Sequence, residues 1–115
     1  MQDCIFCKIA KGEIPSQKVY EDDLLFAFKD ISPMAPVHIL VIPKTHYRSL
    51  NEVPANEIHL LGTMVEVARK LAWDQGLKEK GYRLALNTEQ EGGQSGYHLH
   101  LHLLGGRQLG PSLVG

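Results

Sequence analysis

Apolar positions along this chain change their period several times, and each change predicts an element. Val37 to Ile42 is a nearly continuous apolar run bounded by Pro36 and Pro43. So short a run fits a buried strand better than a helix. From Pro54 to about Gln75 the period becomes helical: Ile58, Leu61, Val65, Ala68 and Ala72 recur on one face, and Leu60, Met64, Val67 and Leu71 widen the stripe. Glu66, Arg69 and Lys70 take the opposite side, and Gly76 ends the helix. Cys4 to Ala10 reads as a short helix closed by Lys11-Gly12. Lys18 to Glu21 and Leu24 to Lys29 read as strands around the acidic turn Glu21-Asp22-Asp23. Asp30 to Pro36 holds two prolines and is a loop. Tyr82 to Asn87 is another strand, Glu89 to Gly96 a glycine-rich loop, and Tyr97 to Leu104 the last strand. Helices and strands do not alternate regularly, so the expected class is α+β, with an antiparallel sheet of about five strands.

Length and composition narrow the class further. The 115 residues suffice for one domain with a real core and are too few for two. With 43% apolar and 22% charged residues the chain has the profile of an ordinary globular protein. A net charge of −1 offers no electrostatic footprint for nucleic acid or an anionic membrane. No apolar stretch approaches the roughly 20 residues that cross a bilayer, and no signal-peptide pattern opens the chain. The expectation is a cytoplasmic protein that neither binds nucleic acid nor enters a membrane.

The main chemical signal is Tyr97-His98-Leu99-His100-Leu101-His102-Leu103. In a strand, alternate residues share a face and lie about 6.6–7 Å apart. The three imidazoles then form one row, while Tyr97 and the leucines face the core. Inert packing explains such a row poorly, because buried ring nitrogens need partners. A solvated strand face normally carries Lys, Glu or Thr instead. Catalysis therefore ranks first, metal binding second and packing last. Gly92-Gly93-Gln94-Ser95 immediately precedes the row, and glycine lets backbone N–H groups approach an anion. Taken alone, that tetrapeptide would also serve as a plain turn.

The only two cysteines, Cys4 and Cys7, form a C-x-x-C pair. A secreted disulfide scaffold usually has more, and a thioredoxin-like motif would close a strand and open a helix. A metal site remains, as does the simpler reading of two small apolar residues in a short helix. His59, on the long helix, is expected to be merely exposed.

Together these segments resemble the histidine triad family, and specifically its Hint branch of purine nucleoside phosphoramidases. The family pattern of alternating histidines followed by two apolar positions is met by His98 to Leu104. Asp30-Ile31-Ser32-Pro33, Ala35-Pro36-Val37-His38 and Val41-Ile42-Pro43-Lys44 resemble its nucleoside-side segments. Gly92-Gly93-Gln94-Ser95 and Leu104-Gly105-Gly106-Arg107-Gln108 resemble the Hint branch in particular. The likeness runs from Cys4 to Gln108.

The resemblance implies that His100 attacks the α-phosphorus of an AMP or GMP conjugate, forming a nucleotidyl-histidine that water then hydrolyses. It implies that His102 and Ser95 contact the phosphate oxygens and leaving group, and that His38 holds the catalytic imidazole. Asn87, Gly93 and Gln94 would lie near the phosphate or ribose. Asp30 and Ile31 would line the nucleoside pocket. Many microbial members hold a structural zinc ion, for which Cys4, Cys7, His46 and His98 are the matching ligands here; catalysis would need no metal. A homodimer through the long helix and a sheet edge is implied as well. The tail after Arg107 has no aromatic residue, unlike some Hint proteins, which leaves the leaving-group preference open. Two other functions stay in view: hydrolysis of dinucleoside polyphosphates, and non-catalytic nucleotide binding or scaffolding.

Overall fold

Two apolar faces of one sheet organise the molecule, whose computed structural model describes residues 4–111; the last residues of the aromatic-free tail, 112–115, lie outside the described residues. Helix α1 (Ile5–Ala10) is followed by strands β1 (Lys18–Glu21), β2 (Leu25–Lys29) and β3 (Val37–Pro43). Helix α2 (His59–Asp74) then leads to β4 (Tyr82–Ala85) and β5 (Leu101–Gly105). The five strands are all antiparallel in the order β1-β2-β3-β5-β4, so β5 inserts between β3 and the edge strand β4. The expected α+β class and five-stranded sheet are present.

Period-two alternation sends successive side chains to opposite faces. Leu25 and Ala27 of β2, Ile39 and Val41 of β3, and Leu101 and Leu103 of β5 join Met64, Val67, Ala68, Leu71 and Ala72 of α2 in the larger core. Phe26, Phe28, Leu40 and Ile42 face the other way and pack with Ile9 of α1, flanked by Phe6 and Ile14. Both faces of β3 are buried, which is why its sequence is nearly continuous in apolar residues. Each large side chain buried in this way stabilises the fold by roughly 1.5–3 kcal/mol.

Three boundaries differ from the sequence expectation. The helix expected from Pro54 opens instead as a 3-10 turn, Ala55–Glu57, with Ile58 at the start of α2 and no side-chain cap. The tighter turn satisfies the first N–H groups through bonds three residues back, Glu57 to Pro54 at 2.8 Å and Leu61 to Ile58 at 3.0 Å. Strand β4 stops at Ala85 rather than Asn87. The last strand begins at Leu101, not Tyr97, because the residues before it leave the ladder; Leu99 N–H bonds the Tyr47 carbonyl instead, at 2.7 Å. Alternation nevertheless persists through this segment, since Leu99 is buried in the α2-side core with Leu101 and Leu103. Among the described residues, no helix is long and apolar enough to cross a membrane.

Candidate active site

His38 on β3 and His102 on β5 lie on the α1 side of the sheet, one register step apart, His102 being opposite Leu40. Their rings meet, with His38 Nε2 at 3.0 Å from His102 Nδ1. The donor can be assigned from what lies behind His38. The Met34 N–H donates to His38 Nδ1 at 3.1 Å, so that nitrogen carries a lone pair. The proton of neutral His38 therefore sits on Nε2 and is donated to His102 Nδ1, which leaves the proton of His102 on its own Nε2. Asp30 stands close to the same His38 Nε2, at 3.6 Å through Oδ2. The loop carrying it is closed by Ser32 N–H on Asp30 Oδ1 at 2.8 Å and by Asp30 N–H on the His38 carbonyl at 2.9 Å.

His100 is oriented by a different device. Its Nδ1 lies 2.7 Å from the main-chain carbonyl of His98, and a carbonyl only accepts, so Nδ1 carries the proton. Nε2 then holds the lone pair, as a nucleophilic imidazole requires. The ring is buried between His102, with centroids 4.9 Å apart, and Phe6 of α1, at 5.2 Å. Gly96 completes the wall: a Cβ placed there would stand 3.0 Å from Phe6 Cε2 and 3.9 Å from His100 Cε1. Phe6 and Gly96 escaped the sequence reading. For Phe6, its place between the two cysteines was an available signal; for Gly96 there was none beyond proximity to Ser95.

The Glu89–Gly96 loop brings Ser95, which is exposed, to the residue beside that wall. Gln94 holds the loop. Its Oε1 accepts the Glu89 N–H at 2.7 Å, and its Nε2 donates to the Arg48 and Gly96 carbonyls, both at 2.8 Å. The side-chain amide is thus committed to backbone partners. Gly93 takes a positive φ of 79°, which favours glycine, and is exposed, as is Asn87 beyond the end of β4. Asp30, Ile31, Pro33, Pro36 and His38 line one side of a cavity of about 390 Å³ at the end of β2 and β3. Its lining does not include His100 or Ser95, so it adjoins the histidine row rather than covering it. Ile31 is 92% exposed at its rim.

The first histidine of the row turns elsewhere. His98 Nε2 donates to the Pro43 carbonyl at 2.8 Å, leaving the Nδ1 lone pair to face Cys4, Cys7 and His46. From His98 Nδ1, Cys4 Sγ lies at 3.2 Å, Cys7 Sγ at 3.5 Å and His46 Nδ1 at 3.1 Å. His46 Nδ1 and Cys7 Sγ are 3.4 Å apart. All four donor atoms fall within 4.8 Å of one another. A tetrahedral zinc site with ordinary bond lengths separates its donors by about 3.3–3.8 Å, so this set fits the ion with shifts of a few tenths of an ångström. The Cys7 N–H donates to Cys4 Sγ at 3.3 Å, which favours a thiolate there. Burial and the neighbouring Cys4 push the Cys7 thiol up to about 11, so an ionised pair needs a bound cation. These four residues lie close together and can bind a metal ion; His100 and His102 are not among them. His59 is exposed, as expected.

Burial governs the protonation of the relay. It lowers His38, with Asp30 opposing, and lowers His102 to about 4, with His100 and His38 adding to the effect. A histidine lowered in the folded state binds fewer protons there than in the unfolded chain. Its contribution to stability is therefore complete above the ordinary value of 6.5 and is lost as pH falls toward 4. NMR titration of the folded protein should find the His102 ring neutral at a pH one unit below its ordinary midpoint, with the urea midpoint of unfolding declining across the same window. An ordinary His102 midpoint would contradict the buried relay.

The comparisons with known proteins agree with this geometry. The family model described as "HIT domain" matches residues 11–109. The Escherichia coli K12 protein named "Purine nucleoside phosphoramidase" is 54% identical over 113 residues, covering 98% of this chain and 95% of that one. A solved "HIT family hydrolase" from Legionella pneumophila Philadelphia 1 is 53% identical with a TM-score of 0.89, covering 92% of this chain and 95% of the other. A histidine triad protein structure from Clostridium difficile is 48% identical with a TM-score of 0.94, covering 97% of each chain. With residues 11–109 matched by the family model and nearly its whole length shared with these relatives, this chain belongs to the histidine triad (HIT) family.

Proposed function

We propose that this protein hydrolyses the phosphorus–nitrogen bond of purine nucleoside 5'-phosphoramidates through a nucleotidyl intermediate on His100. That it is a hydrolase follows from its family and from the near-full-length similarity to a purine nucleoside phosphoramidase and a HIT family hydrolase. The substrate and the intermediate are the inference. The similarity to a purine nucleoside phosphoramidase supports the substrate, and one observation carries the intermediate: the His98 carbonyl accepts a hydrogen bond from the Nδ1–H of His100, leaving the Nε2 lone pair free to attack.

In the first step the Nε2 lone pair forms a bond to the α-phosphorus and the bond to the amine nitrogen breaks. The Nε2–H of His102 and the Ser95 hydroxyl donate to the phosphate oxygens and the leaving group, where charge develops. Asp30 and Ile31, on the cavity beside the row, serve the nucleoside, with Asp30 accepting from the ribose hydroxyls. Gly93, Gln94 and Asn87 border the phosphate side. Water then opens the phosphorus–Nε2 bond; over both steps its hydroxyl goes to phosphorus and its proton to the amine.

Incubation with an adenosine phosphoramidate, quenched rapidly under conditions that preserve phosphorus–nitrogen bonds, should give an AMP-sized mass on the peptide holding His100, with AMP released. His100→Ala should lose at least a thousandfold in rate while nucleotide binding persists, in keeping with removal of a nucleophile. Binding without adduct or AMP would sink the phosphoramidase reading. Release of AMP from dinucleoside polyphosphates alone would assign the other substrate.

Cys4, Cys7, His46 and His98 are the proposed ligands of a structural zinc ion. The ion would supply charge for the two thiolates and a cross-link between α1 and the residues flanking the sheet, and a closed Cys2His2 set leaves no position for substrate. One equivalent of zinc should accompany the purified protein, and Cys7→Ala should lose it together with several degrees of melting temperature. Full zinc content in that variant would show that the four residues are not its ligands.

We also infer a homodimer. Helix α2 leaves Ile58 and Val65 about half exposed, and β4 is an unpaired edge of the sheet. Burial against a second copy would account for both. Light scattering should return twice the chain mass, and a monomer would dismiss the dimer.

A further inference from the structure

We propose that Arg107 is a positioning residue that sets the tautomers of the His38–His102 relay through the main chain of Met34. The Asp30–Pro36 loop holds His38 by a single hydrogen bond to its ring, from Met34 N–H to Nδ1 at 3.1 Å. That bond decides which nitrogen of His38 donates to His102, 3.0 Å away, and therefore which nitrogen of His102 is left as a donor. Whatever holds Met34 in place holds the relay.

Two turns inside the loop close its start, from Ser32 N–H to Asp30 Oδ1 and from Asp30 N–H to the His38 carbonyl. Neither touches Met34. The hold on Met34 comes from outside the loop: Arg107 Nη2 donates to the Met34 carbonyl at 2.7 Å. The same guanidinium is steadied through Nη1, which donates to the Gln108 carbonyl at 3.0 Å. A charged donor at this distance makes the stronger class of hydrogen bond.

The backbone is shaped for this reach. Strand β5 ends at Gly105, paired with Val37, and Gly106 follows with a φ of 97°. A Cβ on Gly106 would stand 2.9 Å from Pro36 Cβ and 3.5 Å from the Val37 nitrogen, so only glycine lets the chain lie against the end of the loop. Arg107 is thereby placed over a loop whose other side chains at this point, Ile31 and Met34, are exposed at 92% and 69% and contribute little packing. Of residues 31–36 only Ala35 is buried, so the loop depends chiefly on its hydrogen bonds.

The kinetic consequence rests on the phosphoramidase reading, whereas the tautomer consequence does not, and the experiment separates them. Arg107→Met keeps the apolar stem and removes the donor; Arg107→Lys restores one donor. Long-range 1H–15N spectra of the substrate-free proteins report the tautomer of each ring. The parent should show protonated Nε2 and unprotonated Nδ1 at both His38 and His102. Arg107→Met should shift both rings toward an average of the two tautomers, and should lower kcat for an adenosine phosphoramidate about tenfold with KM changed less than about twofold. Arg107→Lys should recover most of both effects. Unchanged ring signals in Arg107→Met, with only a lower melting temperature, would overturn the proposal and leave Arg107 a loop clamp. If the parent does not turn over phosphoramidates, the substrate reading falls and the spectra still decide the tautomer role. Arg107→Gln, whose shorter side chain does not span the distance, replaces Arg107→Met if that variant does not fold.

Discussion

The hydrogen bond from His100 Nδ1 to the carbonyl of His98, at 2.7 Å, is the constraint on which the rest of this site depends. It selects one tautomer of a buried imidazole and aims its lone pair. It also ties His100 to a residue that is immobilised on three sides. The His98 carbonyl receives His100, its Nε2 donates to Pro43, and its Nδ1 faces Cys4, Cys7 and His46. A cross-link formed at that donor set would therefore be felt one hydrogen bond from the His100 ring. Phe6 makes a second connection, because it lies between the two cysteines and stacks edge-on against both His98 and His100.

Burial makes the arrangement work and also makes it demanding. His38, His98 and His100 are at most 4% exposed, yet no buried side-chain nitrogen or oxygen among the described residues lacks a partner. Each ring must find a donor and an acceptor in a region with little water. The solution uses main-chain groups: the Met34 N–H for His38, the Pro43 carbonyl for His98 and the His98 carbonyl for His100. Backbone partners are held by the sheet and its flanking turns, so they orient the rings more rigidly than mobile side chains would. Burial lowers His38, His98 and His102 alike, which favours the neutral form of those three rings.

The segments that border this row are loops. Residues 30–36 carry the cavity side and residues 89–96 carry Ser95, and each loop is fastened by hydrogen bonds from elsewhere in the chain. Gln94 reaches Arg48 for one loop, and Arg107 reaches Met34 for the other. The functional groups thus lie where a fixed β3–β5 ladder meets adjustable connections, an arrangement common to many sites.

Much of this was legible in the residues themselves. The apolar run at 37–42 and the stripe at 58–72 gave β3 and α2, because burial imposes a period that composition preserves. The row His98-Leu99-His100-Leu101-His102-Leu103 placed three imidazoles opposite three leucines, and Cys4-x-x-Cys7 pointed to a metal. Other features were not local. The 3-10 opening before α2 and the late start of β5 depend on where backbone N–H groups find partners, as with Leu99 and the Tyr47 carbonyl. Spacing alone did not divide the labour within the triad, which the family resemblance supplied: identical residues at identical spacing face a metal-type donor set, a main-chain carbonyl and a second histidine. By itself the sequence determined the residue types, their alternation and the family, since those are properties of neighbours along the chain. Only the tertiary structure decided which ring nitrogen holds a proton, because that is set by partners the loops and the sheet bring together: Met34 by the folding back of its loop onto His38, and Pro43 and His38 from distant parts of the sequence onto His98 and His102.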